Sequence, residues 1–230
     1  MATSISDELY DKILDALDHE EIQTLVELFT THGIQPTDRL NDAPREGYND
    51  QQLETYIDYV LSYNLTKVLE YLIDENGLEV SDILLARAMQ LNFDTYEYFV
   101  SCGYMPEIEC LRMAVHNAYS GIIDSILAMD NELVLQLTDL DIEYLFSFDM
   151  DEETIETIHV LFNYHIQPDL FARFLKALKD PEDKYFPLAN EETDIAIEII
   201  EFLEAHDVES YVNLNPNVNV NPNVNAENLV

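Results

Sequence analysis

The first residues to test for chemistry are a glutamate and a histidine that lie one helical turn apart. Glu156 and His159 have the Glu-x-x-His spacing with which helical bundles hold a pair of iron or manganese ions. Such a centre needs two of these pairs and two further glutamates, and the sequence contains one pair. We therefore expect His159 to be a surface histidine beside a solvated carboxylate, and we predict no metal ligands.

Two acidic runs and a cysteine are the next residues with a potential chemical role. Residues 139–143 and 149–153 space carboxylates as calcium loops do, but both lack the glycine and the distal glutamate of an EF-hand. Cys102 follows an apolar helical pattern, so we expect a core residue there and no reactive thiolate. The sequence has neither a Gly-x-Ser-x-Gly turn nor a glycine-rich phosphate loop. We predict no catalytic residue, no cofactor and no enzymatic activity.

Acidic residues dominate the composition. Asp and Glu number 47 and Lys and Arg number 10, which gives a formal net charge of -37. This charge repels nucleic acid and anionic membranes, so we predict that the chain binds neither directly. No Lys or Arg occurs from Met113 to Ala172 or from Tyr185 onward. The acidity can attract a basic protein or can serve only to keep an apolar helical array soluble, and the sequence leaves both explanations open.

The cysteines and the N-terminal residues bear on the cellular compartment. Two cysteines eight positions apart form neither a disulfide framework nor a Cys-x-x-Cys pair. The first residues have no basic and apolar signal pattern, and no run of eighteen apolar residues occurs. We expect an intracellular protein of the cytoplasm or nucleus.

The elements that position these residues end in a recurring phrase. An apolar helical face is followed by a stop and then by one apolar residue, at Gly33, Gly77 and Gly103. Glycine adopts the left-handed conformation that ends a helix, and proline shortly afterwards prevents continuation. A late copy at residues 160–169 lacks the glycine. One supersecondary unit is therefore predicted to recur along the chain.

The apolar spacing predicts helices in pairs. Ser4 or Ser6 is expected to cap the first helix, and Ser81 a later one. Asp94 and Glu97 are expected to form a capping box, and residues 117–121 a turn. We predict an all-α fold: an α-solenoid of five or six stacked helix-turn-helix repeats over residues 1–211. Residues 212–230 repeat Asn, Pro and Val, which bury no core, and we predict a disordered tail there.

Two stretches carry a resemblance to a known family. Residues 84–103 and 111–127 contain Leu-x-x-Ala, an inter-helix turn and a second apolar helix, and the first ends in Gly103. They resemble divergent ankyrin repeats without the Thr-Pro-Leu-His signature. With the Asn-rich tail, they are similar to ankyrin-type proteins of large DNA viruses. The resemblance implies stacked repeats that bind another protein through inner helices and turn fingers, without catalysis.

The predicted function is non-catalytic protein binding by an ankyrin-like adaptor with an acidic surface. One alternative is a nucleic-acid mimic that sequesters a basic DNA-binding or histone-like protein; another is an unrecognised helical metal-dependent enzyme. Tyrosine is favoured at binding hot spots, and carboxylates attract basic partners. The candidate partner-binding residues are Tyr96, Tyr98, Tyr104, Tyr119, Asp139, Asp141, Asp149, Asp151, Glu152 and Glu153.

Overall fold

A computed structural model describes residues 6–38, 55–146, 150–179, 193–206 and residue 208. All regular elements in these residues are helices, which confirms the all-α prediction. The predicted tail at 212–230 lies outside the described residues, as do residues 39–54. The α-helices are α1 (Asp7–Asp18), α2 (Ile22–His32), α3 (Tyr56–Ser62), α4 (Thr66–Asp74), α5 (Asp82–Leu91), α6 (Phe93–Ser101), α7 (Ile108–His116), α8 (Ser120–Met129), α9 (Asp139–Leu145), α10 (Glu152–Asn163), α11 (Ala172–Lys179) and α12 (Thr193–Ala205).

The chain divides into two compact units, Met1–Met113 and Ala114–Val230, and the boundary falls within α7. In the first unit, α1 packs on α2, α3 on α4 and α5 on α6, while α2 also contacts α4 and α3 contacts α5. In the second unit, α8 packs on α10, and α12 packs on both α10 and α11. Helices two apart in sequence therefore pack together in each unit, as they do when helical hairpins are stacked.

Each unit has its own apolar core. The Tyr56 ring lies 5.9 Å from the Phe29 ring in the first unit. In the second unit, Phe146 stacks on Phe174 at 4.8 Å and meets Phe171 edge-on at 6.3 Å. All but Phe29 are at most 1% exposed, and Phe29 is 5% exposed, so aromatic rings take the place that tryptophan fills in other cores.

The recurring phrase ends helices as the sequence predicts. Gly33, Gly77 and Gly103 all have positive φ, at 65°, 73° and 92°. After Gly103, the Tyr104 N–H donates to the Phe99 carbonyl at 3.2 Å, which closes the last turn of α6. The late copy without glycine uses His165 at φ 64°, and the next N–H, of Ile166, donates to the Leu161 carbonyl at 3.1 Å. The geometry of the phrase is retained where the glycine is lost.

A second recurring geometry lies at the turns inside three hairpins. Glu20, Asn64 and Ala118 occupy the left-handed region with φ of 49°, 51° and 54°. The residue after each adopts nearly the same φ and ψ: −80° and 76°, −77° and 76°, and −81° and 73°. These last angles define an inverse γ-turn. Three unrelated residue types thus form the same turn, a shared geometry that the sequence pattern does not reveal.

The predicted helix starts are confirmed at Ser6 and Ser81, whose hydroxyls each accept an N–H of the first turn at 3.3 Å. The predicted capping box at Asp94 and Glu97 is wrong. The Asn92 side chain caps α6 by accepting the Asp94 N–H at 3.0 Å, so that the helix begins two residues earlier. Asn92 is favoured over Asp94 as the cap because its side-chain amide also donates to the Ser62 carbonyl at 2.8 Å.

Two further differences concern residues 117–137. The turn predicted over residues 117–121 is shorter, because α8 starts at Ser120. The apolar segment after α8 forms a 3-10 helix at Asn131–Gln136, and Asp130 caps it by accepting the Glu132 N–H at 3.0 Å. A second 3-10 helix, Pro168–Phe171, leads directly into α11.

Candidate partner-binding surfaces

The tyrosines predicted at the first unit's surface differ in exposure. Tyr96 is 6% exposed, and burial raises its pKa. Tyr98 is half-buried and its hydroxyl donates to the Glu70 carboxylate at 3.3 Å; burial, with hydrogen bonds to Cys102 and Glu70, raises the pKa of Tyr98. Tyr104 packs edge-on against Phe99 at 5.9 Å between ring centroids. The structure therefore places Tyr96 in the core and leaves Tyr98 and Tyr104 partly accessible.

Tyr119 is the candidate tyrosine of the second unit. It precedes α8 in the inverse γ-turn, where its N–H donates to the Ala114 carbonyl at 2.9 Å. Its side chain is 38% exposed. The fixed backbone holds a partly solvated ring at the edge of the unit, which suits a binding contact.

Asp141 is a buried structural carboxylate. It accepts the N–H and the hydroxyl of Thr138, both at 2.8 Å, and so forms a capping box at the start of α9. The Nε2 atom of His116 lies 3.1 Å from the same carboxylate. With 5% of its side chain exposed, Asp141 is available to the fold and not to a partner.

Asp139 lies on the surface two residues earlier in α9. Partial desolvation of the carboxyl and the nearby Asp169 carboxylate raise its pKa, although the Arg173 guanidinium acts in the opposite direction. Arg173 itself pairs with Glu143 at 3.4 Å. The carboxylates of Asp139 and Asp169 therefore lie close together. Arg173 offsets their charge only in part, because it also pairs with Glu143.

The remaining acidic candidates lie at the start of α10. Asp151 caps this helix, since its carboxylate accepts the Thr154 N–H at 2.9 Å and the Thr154 hydroxyl at 3.0 Å. Asp151, Glu152 and Glu153 are exposed, whereas Asp149 lies outside the described residues. These three carboxylates lie in the first turn of α10, where the positive end of the helix dipole favours negative charge, and they face solvent.

Asp58, in the first unit, has the same arrangement as Asp141 in the second, and it was not among the predicted site residues. Asp58 accepts the N–H and hydroxyl of Thr55, each at 3.0 Å, and the Arg87 Nε donates to it at 2.9 Å. A Thr-x-x-Asp spacing precedes both α3 and α9 and could have revealed both boxes. The basic side chain comes from a different helix in each case, Arg87 for Asp58 and His116 for Asp141, which no local pattern indicates.

The residues tested first for chemistry do not converge on a metal centre. The Ser120 hydroxyl donates to the Glu156 carboxylate at 3.2 Å, whereas His159 stacks on Phe202 at 4.2 Å. The part of the chain that the structure describes contains no group of three or more metal-binding side chains.

The expectation for Cys102 is wrong, because Cys102 is exposed and Cys110 is the buried thiol. Burial and the Asp82 carboxylate raise the pKa of Cys110.

An acidic stripe runs along α1. Glu8, Asp11, Asp15 and Asp18 line an open concavity of about 400 Å³, together with a lysine that pairs with Glu8 at 2.8 Å. At the end of the stripe, hydrogen bonding to the Asp15 carbonyl and the surrounding carboxylates raise the pKa of His19.

No described helix combines the length and apolar composition that crossing a membrane requires.

Comparison with known proteins adds no relative. No family model, curated protein or solved structure matches the chain. The functional argument therefore rests on the geometry and charge of the chain's own residues.

Proposed function

We propose that this chain is a non-catalytic protein-binding module, an ankyrin-like adaptor whose acidic surface recruits a basic protein. The observation that carries the proposal is the state of its cations. Among the seven Lys and Arg residues of the described chain, six have a nitrogen 2.5 to 3.7 Å from a carboxylate oxygen. Most cations are thus already committed to internal pairs, and the remaining carboxylates define the surface potential.

The helix packing supports the same proposal. Helical hairpins with one shared turn geometry, in which helices two apart pack together, are what a stacked repeat array requires. Such arrays expose long edges with many turns, and their usual work is binding. Partly exposed aromatic and apolar residues, including Tyr119 at 38%, supply the contact area that a carboxylate surface alone lacks.

A pull-down from a cell lysate on the immobilised chain, followed by affinity measurement on the captured protein, tests the proposal. At low salt the long-range field accelerates encounter, and at high salt the aromatic and apolar contacts remain. We expect a basic partner whose dissociation constant rises by no more than about tenfold between 0.1 and 0.5 M salt. Tyr119→Ala should weaken this complex. Capture of acidic proteins alone would refute the proposal.

The second candidate function is a nucleic-acid mimic that sequesters a DNA-binding protein. The sequence from Met113 to Ala172 carries twelve Asp and Glu residues and no Lys or Arg, which favours this alternative. A mimic binds through many ion contacts, so its affinity should fall by about a hundredfold or more over the same salt range. Binding should then depend on Glu152 and Glu153 and not on Tyr119, and the chain should displace DNA from the captured protein.

A further inference from the structure

Three hairpin turns of the first unit lie side by side and form what we call the turn edge, residues 18–21, 62–65 and 92–94. The Lys67 N–H donates to the Glu20 carboxylate at 2.9 Å, which joins the first turn to the second hairpin. The Tyr59 hydroxyl also donates to Asp18. The Asn92 amide donates to the Ser62 carbonyl at 2.8 Å, and this bond joins the second turn to the third. The relative positions of the three turns are therefore fixed by hydrogen bonds.

Two aromatic rings project from this turn edge. Tyr63 is 39% exposed and Phe93 is 42% exposed, and each immediately follows one of the two residues joined by the Asn92–Ser62 bond. Each exposed ring lies against a buried one: Tyr63 is 4.6 Å from Tyr59, and Phe93 is 5.7 Å from Tyr96. One side of each ring is thus supported by the core while part of its surface remains in water. Rings held in this way lose little conformational entropy on binding.

Carboxylates flank the two rings. Asp18, Glu20 and Glu21 lie on the first turn, and the exposed Asp94 directly follows Phe93 on the third. The described cations of this region are Lys67, whose ammonium lies 3.7 Å from Glu20, and the titratable His19. An exposed aromatic ring on an edge that also carries carboxylates attracts a cation in two ways, through the ring quadrupole and through charge. Phosphate groups and anionic lipids are repelled by the same carboxylates.

We propose that the turn edge of the first unit is a docking surface for an arginine-rich segment of a basic protein, with guanidinium groups stacked on Tyr63 and Phe93 and paired with the flanking carboxylates. This inference rests on the proposed function, because it specifies where the basic partner binds. Arginine fits better than lysine, since its planar guanidinium stacks on a ring and keeps its donors free for a carboxylate. The arginine-rich segment occupies this edge of the first unit alone, and the contact proposed above for Tyr119 belongs to another part of the same partner.

The test uses the full chain and a fluorescein-labelled decapeptide of alternating arginine and serine, at about 150 mM salt to suppress diffuse attraction. Anisotropy gives the dissociation constant. The double variant Tyr63→Leu with Phe93→Leu keeps apolar area but removes both π faces, and we expect binding about 5- to 30-fold weaker. The matched control is Ile83→Ala with Met105→Ala, which alters two residues of the same unit that are 70% and 59% exposed but lie outside the turn edge. It should change binding less than twofold.

Further arms separate the outcomes. Tyr63→Phe should bind like the wild type, and a citrulline peptide should not bind. If the leucine variant binds as tightly as the wild type, or no more weakly than the control variant, the turn-edge inference is overturned while the proposed function stands. If the wild type fails to bind the arginine peptide even at low salt, both are refuted. Circular dichroism checks folding; should the double variant unfold, Phe93→Leu alone is measured, and a loss of about two- to fivefold supports the inference while no loss overturns it.

Discussion

Gly→Ala is expected to change stability in opposite directions at two glycines, Gly103 and Gly121. Gly103 has φ 92°, beyond the small left-handed region in which other residues are tolerated, whereas Gly121 lies within α8 and has no positive φ. A Cβ added at either position meets no atom within 4 Å. Steric crowding is therefore excluded at both sites, and backbone conformation alone decides the effect of Gly→Ala.

The magnitudes follow from this difference. Gly103→Ala should reduce the free energy of unfolding by about 1–2 kcal/mol, because an L-residue is strained at this φ. Gly33, at φ 65°, lies inside the tolerated region, and Gly33→Ala should cost only about 1 kcal/mol or less. Gly121→Ala should raise the free energy of unfolding by about 0.5 kcal/mol through helix propensity and the less flexible unfolded chain.

Urea unfolding followed by circular dichroism measures the global effect, and the buried Cys110 thiol supplies a second assay within the first unit. In a Cys102→Ser background, native-state labelling of Cys110 requires opening of the unit that contains Gly103. A loss of about 1.4 kcal/mol should accelerate labelling about tenfold in Gly103→Ala. The reasoning is refuted if Gly103→Ala and Gly121→Ala shift stability in the same direction, or if Gly33→Ala costs more than Gly103→Ala.

Four further predictions concern other residues. His165→Gly should stabilise the second unit by about 0.5–1 kcal/mol in urea unfolding, because His165 has the same positive φ as the glycines. Asp141→Ala should destabilise the second unit by about 2–3 kcal/mol, because the cap of α9 is lost and the His116 side chain loses its partner. Asp139→Asn should stabilise the same unit slightly at pH 7 and have no effect near pH 3, because a raised carboxyl pKa disfavours the ionised form in the folded state. The His19 imidazole should titrate above its ordinary value of about 6.5 by NMR, and Asp15→Asn should lower that midpoint; the stabilisation from charged His19 is present below the unfolded-state pKa and disappears as pH rises through the folded-state pKa.

Sequence patterns predicted those parts of the fold that depend on local chemistry. Ser6, Ser81 and the three helix-ending glycines act through bonds to residues at most five positions away, so their roles are readable from spacing. Asn92 could not be assigned in this way, because its advantage over Asp94 comes from the Ser62 carbonyl thirty residues earlier. The turn at Glu20, Asn64 and Ala118 was also hidden, since only asparagine of these three favours positive φ.

The candidate surface was predicted less well than the fold, for a related reason. A tyrosine on an amphipathic helix faces either the core or the solvent, and spacing places it to within about a quarter of a turn. Tyr96 lies on the buried side of its helix, while Tyr63 and Phe93, which lie at hairpin turns, were not singled out. Cys102, which was expected in the core, is exposed for the same reason, because it follows the last residue of α6 and caps that helix.

The two Thr-x-x-Asp boxes explain how such an acidic chain can fold and still retain a negative surface. Asp58 and Asp141 are the buried carboxylates among the residues that the structure describes, and each meets a basic side chain from another helix, Arg87 at 2.9 Å and His116 at 3.1 Å. A buried carboxylate without such partners would be costly, whereas an exposed one is stabilised by water. Arg87 and His116 therefore contribute mainly to the stability of the fold. Adding a lysine to the exposed turn edge should then leave stability nearly unchanged and weaken a basic partner, so that the charges which hold the fold together and the charges which select a partner can be altered separately.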